Sequence, residues 1–146
     1  KGTSESAIKL IEEYLQELGL NPNVCLSDDD EEWATWSCQR GSAVIYVSVS
    51  KDEDPCGAIF ILRSPIVGLP VAEKVEPLLR YCMEMPPTPS VTLSLRDDII
   101  NVISVCFREE LDREKLDYMF SSVSGLADEL DNELAEKFGC EMIGEE

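Results

Sequence analysis

The chain has 146 residues, the size of one domain, and 44 % of them are hydrophobic, so it can bury a core of its own. Thirty acidic residues against twelve basic ones give a formal net charge of −18, and histidine is absent. This charge repels phosphate backbones and anionic lipids, so we expect no direct nucleic-acid binding and no membrane binding, and it attracts partners with a basic or amphipathic segment.

The first third of the chain predicts one helix and a meander of strands. Apolar residues recur at helical spacing from Ile8 to Leu18, so we expect a helix over Ser4–Leu18 that stops at Gly19. Extended segments then follow in quick succession, which is typical of antiparallel strands. They are Trp33–Gln39, Ala43–Ser50 and Gly57–Arg63, and Val24–Leu26 could add an edge strand.

The second half predicts a helix, a hairpin and a long final helix. Ser64–Pro70 is expected to be a Pro-bounded connector, and the helix after it, centred on Val75–Cys82, is either kinked at Pro77 or begins there. The hairpin joins Ser90–Leu95 to Ile99–Arg108 through the turn at Arg96-Asp97-Asp98, and the last helix is N-capped by Asp112, with an apolar stripe from Leu116 to Phe138. We therefore predict a single α+β domain over residues 1–146, with an antiparallel sheet of about five strands and the element order α-β-β-β-α-β-β-α.

Three of the predicted strands are apolar on both faces. A sheet with one wet face should alternate apolar and polar residues, as Ser90–Leu95 does. The two-faced strands place Ile45, Val47 and Val49 opposite Val44 and Tyr46; Ala58, Phe60 and Leu62 opposite Ile59 and Ile61; and Ile103, Val105 and Phe107 opposite Ile100, Val102 and Cys106. Three helices of this size cover one sheet face well and the other only in part, so we expect a second chain to cover the rest.

Trp33 and Trp36 are three residues apart on one strand, so they point to opposite faces. One of them is expected to anchor a partner on the second face. In the alternative, the second helix wraps across that face within the monomer and both tryptophans lie in the core.

The residues that commonly carry enzyme chemistry are missing. Without histidine there is no Ser-His-Asp or Cys-His system, and no Walker A loop, G-x-S-x-G or G-x-G-x-x-G motif occurs. Six cysteines lack a C-x-x-C pair, and no apolar run approaches the ~18 residues of a membrane span. We therefore expect a non-enzyme with no cofactor and no metal, cytoplasmic and with reduced thiols.

Several stretches resemble the YbjN-like family and the related class I type III secretion chaperones. Ile8–Leu18 resembles their opening helix, and Ile59–Pro70 followed by Val75–Met85 resembles their strand, connector and Leu-Leu helix. Val91–Phe107 followed by Leu111–Leu130 resembles their late hairpin and closing helix. The resemblance implies a dimer and, in the secretion branch, capture of an extended segment of a client protein.

The first hypothesis is a dimeric, chaperone-like or adaptor protein that holds an extended or amphipathic polypeptide. Its predicted peptide-binding residues are Trp33, Trp36, Tyr46, Ile59 and Ile61, and its predicted dimer interface is Leu78, Leu79, Cys82 and Met83. A second hypothesis is an acidic regulator, or nucleic-acid mimic, that occupies a basic partner surface. A third is an enzyme without a recognisable motif.

Overall fold

The computed structural model of the chain describes residues 3–54 and 56–143. The helices are α1 (Ser4–Glu17), α2 (Pro22–Cys25), α3 (Ala72–Met83) and α4 (Arg113–Phe138), with a 3-10 turn at Arg108–Glu110. The strands are β1 (Leu26–Asp29), β2 (Trp33–Arg40), β3 (Ala43–Ser50), β4 (Ile59–Gly68), β5 (Thr92–Arg96) and β6 (Ile99–Phe107).

The strands form one sheet in the order β1-β2-β3-β4-β6-β5, and every neighbouring pair is antiparallel. The α+β class and the antiparallel sheet are confirmed, with six strands instead of about five. The additional strand is β1 at Leu26–Asp29, whereas Val24 belongs to the short helix α2, which Asn21 caps and Pro22 begins. The edge strands are therefore β1 and β5.

The helices pack on one face of this sheet, and the core lies between. The long helix α4 runs across β4, β6 and β3, α1 packs beside it, and α3 meets it through an edge-to-face contact of Tyr81 with Phe138 at 5.6 Å. As expected, the Asp112 carboxylate caps α4 by accepting from the Lys115 amide, and Gly139 ends it with φ of 72°. The largest fully buried side chains include Ile11, Leu15, Trp36, Ile45, Phe60, Leu62, Leu116 and Leu130.

One proline position differs from expectation, and a second had been left open. Ser64–Pro70 was predicted as a connector, but β4 continues through Pro65 to Gly68. Pro65 is tolerated because β3 pairs with β4 only as far as Arg63, and the β4–β6 register shifts just after Pro65, so no ladder hydrogen bond requires its missing N–H. Helix α3 begins at Ala72, five residues before Pro77, so of the two alternatives the one in which the helix begins at Pro77 is wrong. Pro77 lies on the exposed side of α3, where water can satisfy the freed carbonyl.

The segment after α4 adds a contact that the sequence did not indicate. Met142 forms an antiparallel bridge with Val67, and the Ile143 amide donates to the Ile66 carbonyl at 2.8 Å. This segment therefore takes over the side of β4 that β3 has left unpaired.

The β2–β3 turn is fastened to α4 through Ser42. Its hydroxyl bonds to Asp128 Oδ1 at 2.8 Å and to Asp131 Oδ2 at 2.7 Å, and its amide donates to Asp128 at 3.0 Å. Asp131 is buried, whereas Asp128 is exposed. The Ser42 amide and hydroxyl hold the pKa of the Asp128 carboxyl below its usual value.

We expect Ser42→Ala to lower the free energy of unfolding by about 1–2 kcal/mol at pH 7, because buried Asp131 loses a hydrogen bond. Since the pKa of Asp128 is lowered by folding, its share is present above pH ~4 and is lost as the pH falls through the folded-state pKa. Urea unfolding at pH 7 and pH 3 measures both effects. Ser124→Ala is the control, since that hydroxyl bonds to the Ser121 carbonyl within its own helix; an equal loss in the two variants would contradict the assignment.

Candidate functional site

The sheet face opposite the helices carries a band of apolar side chains on β4 and β6. The strand register sets Ile59 beside Phe107 and Ile61 beside Val105, with Arg63 beside Ile103 on the next rung. We call Ile59, Ile61, Ile103, Val105 and Phe107 the apolar band. Helix α4 packs on the other face of these two strands, so no helix of the described residues covers the band.

The apolar band is open to solvent to different degrees. Phe107 and Val105 are half exposed, at 50 % and 51 %, whereas the three isoleucines are partly shielded by their cross-strand neighbours. Towards β2 and β3 the face becomes polar, where Thr35 and Ser48 hydrogen-bond to each other at 2.9 Å. The apolar surface is therefore concentrated over the two neighbouring strands β4 and β6.

The β1–β2 turn positions Trp33 next to one end of the apolar band. The Asp30 carboxylate accepts from the amides of Trp33 and Glu32, both at 2.8 Å, and these bonds lower the pKa of Asp30. Lys51 pairs with Asp29 and donates to the Asp30 carbonyl at 2.7 Å. The turn therefore fixes the backbone at the residue where Trp33 enters the sheet.

Arg108 fixes the β3–β4 loop at the same end of the apolar band. This buried guanidinium donates to the carbonyls of Ser50 and Asp52 at 2.7 and 2.8 Å. Between the turn and the loop lies a cleft of about 420 Å³, which we call the Trp33 cleft. Its lining consists of Glu31, Glu32, Trp33, Ser50, Asp52, Gly57 and Ile59, so three carboxylates surround an aromatic and an aliphatic side chain.

The other end of the band carries positive charge. Arg63 lies over the Tyr46 ring, with 4.5 Å between the guanidinium carbon and the ring centroid. A second cleft, of about 280 Å³, opens beside it and is named here the arginine cleft. It is lined by Arg63, Pro65, Arg96, Asp97, Ile99 and Asn101.

Four of the five predicted peptide-binding residues lie on this open face, namely Trp33, Tyr46, Ile59 and Ile61. Trp36 points the other way and is 1 % exposed, because it packs between the sheet and the helices. The two tryptophans therefore do face opposite sides. The alternative in which both lie in the core does not describe this chain, and Trp36 offers no surface to a partner.

We expect the two tryptophans to differ in quenching by acrylamide. Trp33 is partly exposed at the cleft and should be quenched readily, whereas Trp36 should be protected. Trp33→Phe should leave only the protected emission, which steady-state fluorescence measures. If acrylamide quenched Trp36 in the Trp33→Phe variant as readily as it quenches the two tryptophans of the wild type, this placement would be wrong.

The predicted dimer residues lie on α3 with unequal exposure. Leu78 is fully buried in the chain's own core, so in this conformation it contributes no surface. Leu79 and Cys82 are partly exposed, and Met83 is 84 % exposed. Leu95, on the edge strand β5, is also exposed. A groove of about 220 Å³ joins this region, lined by Cys82, Met83, Met85, Pro86, Pro87, Thr88, Val91, Thr92, Leu93 and Leu126.

Sequence analysis did not select Val105, Phe107 and Ile103 as contact residues. The two-faced pattern of their strand was visible, but which face stays uncovered depends on the pairing of β6 with β4. The pattern alone could not identify that pairing.

The described residues carry no evident catalytic chemistry. Among them no group of three or more Cys, Asp or Glu side chains is placed to hold a metal ion. Burial raises the pKa of the Cys38 and Cys106 thiols to about 11, and it also raises the pKa of Cys82 and Cys140. These thiols are therefore protonated at neutral pH, the opposite of an activated nucleophile. No described helix combines the length and the apolar character needed to cross a membrane.

Solved structures with a similar architecture include complexes of secretion chaperones. A chain of the HopA1–SchA chaperone–effector complex superposes with a TM-score of 0.59 at 14 % identity, covering 89 % of this chain and 98 % of that one. The Yersinia pestis type III secretion chaperone SycH, solved with a fragment of YscM2, gives 0.55 at 17 % identity, with coverages of 85 % and 98 %.

A third similar structure is the heterodimeric ExoU–SpcU complex from the type III secretion system of Pseudomonas aeruginosa. Its TM-score is 0.56 at 14 % identity, with coverages of 84 % of this chain and 95 % of that one. Neither a protein-family model nor a curated protein matches the sequence. The chain therefore has the type III secretion chaperone fold, which confirms, at the level of the fold, the predicted resemblance to class I type III secretion chaperones.

Proposed function

We propose that this chain is a non-catalytic, homodimeric, chaperone-like protein that holds an extended or amphipathic segment of another polypeptide on its open sheet face. The observation that carries the proposal is the apolar band on β4 and β6, the two strands on which α4 packs from the opposite side. An apolar surface on interior strands of a sheet, which the helices of the described residues leave uncovered, is typical of a binding surface.

Charge indicates what kind of segment this surface accepts. The Trp33 cleft presents the carboxylates of Glu31, Glu32 and Asp52 around Trp33 and Ile59. The nearest cations are already engaged, since Lys51 pairs with Asp29 and Arg108 is buried on two carbonyls. A segment with apolar residues and a flanking Lys or Arg would therefore find both an apolar contact and a complementary charge, and the −18 net charge would speed its approach.

We propose that a second copy of the chain packs against α3 and the edge strand β5. Exposed apolar side chains are grouped there, with Met83 and Leu95 beside the groove that Pro86 and Pro87 help to form. Three of the four predicted interface residues, Leu79, Cys82 and Met83, would contact the second copy in this proposal. The buried Leu78 would support α3 from the core without contacting the second copy. The solved complexes of the same fold contain partner proteins, which supports a protein client here as well.

A non-enzymatic role is supported by the raised thiol pKa values and by the absence of histidine from the sequence. The cysteines of the described residues are free, which supports a reducing compartment such as the cytoplasm. A closer relation to the YbjN-like branch stays a prediction from the hydrophobic spacing of the sequence.

The test uses three defined 14-residue fluorescent peptides. One is basic and amphipathic, one is acidic and amphipathic, and the third is polar, with no apolar residues. We expect the basic amphipathic peptide to bind most tightly in fluorescence anisotropy and the polar one not to bind. Equal binding of all three, or of none, would contradict the proposal.

Salt separates this function from that of an acidic regulator or nucleic-acid mimic. Binding by apolar contact should survive a change from about 50 to about 300 mM salt, whereas binding by exposed charge alone should collapse, because the Debye length falls well below 10 Å. A collapse that is equal for peptides with and without apolar residues would favour the acidic-regulator hypothesis.

A further inference from the structure

The arginine cleft is the least expected feature of a chain with thirty acidic residues. Two arginines line it, and neither Arg63 nor Arg96 comes within ion-pair distance of a carboxylate among residues 3–54 and 56–143. Two other arginines are ion-paired, Arg80 with Glu76 and Arg113 with Glu17, and Arg40 lies over the Phe120 ring. Two guanidinium groups thus share one cleft, and neither forms an ion pair within the described residues.

Arg63 is held in place for contact with a ligand. Its guanidinium lies over Tyr46, and Nη1 donates weakly to Asn101 Oδ1 at 3.4 Å. Asn101 is itself buried and fixed, since its side-chain amide donates to the Ile99 carbonyl at 3.2 Å. The remaining N–H donors of Arg63 stay available in a fixed plane, which is the arrangement that recognises a carboxylate in a bidentate manner.

Arg96 reaches the same cleft from the β5–β6 hairpin. It pairs in register with Ile99, so its side chain lies on the open face, on the same side as Asn101 and Arg63. The turn that follows is tight, with φ of 52° at Asp97 and 64° at Asp98. Asp97 also lines the cleft and opposes its charge, so the lining of two arginines and one aspartate remains positive by one unit.

We propose that the arginine cleft binds an acidic side chain of the client segment that lies on the apolar band, an inference that rests on the function proposed above. The cleft lies on the same face as the band, at the end of β4 opposite the Trp33 cleft. A small free anion would be repelled by the −18 net charge. A carboxylate delivered on a polypeptide that apolar contacts already hold gains a high effective concentration, which offsets this repulsion.

The two clefts together define a direction for the client. Ile59 lines one cleft and Pro65 the other, and they are six positions apart along β4, which is about 20 Å. An extended client segment of about seven residues, with Lys or Arg at one end and Asp or Glu at the other, fits that distance. The basic end would lie at Trp33 and the acidic end at Arg63 and Arg96.

A double-mutant cycle tests the inference. Two apolar peptides, each with Lys at one end and either Glu or Gln at the other, are titrated against the wild-type chain and Arg96→Gln by fluorescence anisotropy. We expect the Glu peptide to bind wild type about 5- to 10-fold more tightly than the Gln peptide, and the two to bind Arg96→Gln equally. Lys9→Gln on α1 is the control for net charge, and it should keep the preference for Glu.

The other results each have a definite meaning. Equal binding of both peptides to wild type would overturn the inference while leaving the proposed function intact, whereas no binding of either would overturn both. Displacement of the Glu peptide by low-millimolar inorganic phosphate would also overturn it, because the cleft would then accept free anions. A dansyl group on the basic end should receive more energy from Trp33 than one on the acidic end, and the reverse would contradict the proposed direction.

Discussion

Phe107→Glu is expected to weaken binding of the basic amphipathic peptide by at least about 10-fold, while the chain keeps its fold. Phe107 is half exposed on the open face, so the change removes aromatic contact area and sets a charge at the end of the apolar band without opening the core. The added charge is negative like that of the Trp33 cleft, so a loss of affinity cannot come from repulsion of a basic client.

Tyr118→Glu is the matched control for this prediction. Tyr118 is 49 % exposed, almost the same as the 50 % of Phe107, but it lies on α4, away from the open face. Anisotropy titration of both variants gives the comparison, and circular dichroism verifies the fold. An equal effect of the two substitutions would show that the open face has no special part in binding.

Met83→Glu is expected to convert a dimer into a monomer, with a dissociation constant raised by about 10- to 100-fold. Met83 is exposed at the C-terminal end of α3 and borders the groove that continues to β5, so a charge there would be buried by a second copy. Light scattering measures the mass directly.

Val24→Glu provides the control for the dimer. Val24 is 79 % exposed against 84 % for Met83, and it lies on α2 near the opposite sheet edge. If wild type has the mass of a single chain, or if both substitutions change the mass alike, the interface on α3 and β5 is wrong.

The elements with strong local signals could be predicted from the sequence. Helix α4 carries an apolar stripe and an N-cap at Asp112, and it forms where the sequence indicates. The β5–β6 hairpin follows from alternation on one strand and from Asp97 and Asp98, residue types that tolerate positive φ in a tight turn.

What sequence reasoning missed depends on which strands become neighbours. Pro65 looked like a break, but a strand continues through it because β3 has already left that side of β4. Val105 and Phe107 became part of the candidate site only once β6 was seen to pair with β4. The arginine cleft combines Arg63 from one strand with Arg96 from another, more than thirty residues later, and no local pattern connects them.

The central claim is that a client lies on the sheet face that the helices leave open, and isoleucine methyl NMR tests it most directly. Ile59, Ile61 and Ile103 belong to the open face, whereas Ile11, Ile45 and Ile66 are buried on the helix side. On titration with the basic amphipathic peptide, we expect the methyl signals of the first three to shift or broaden and those of the second three to stay. Shifts confined to the second group, or to Ile8 and Ile11 of α1, would contradict the account.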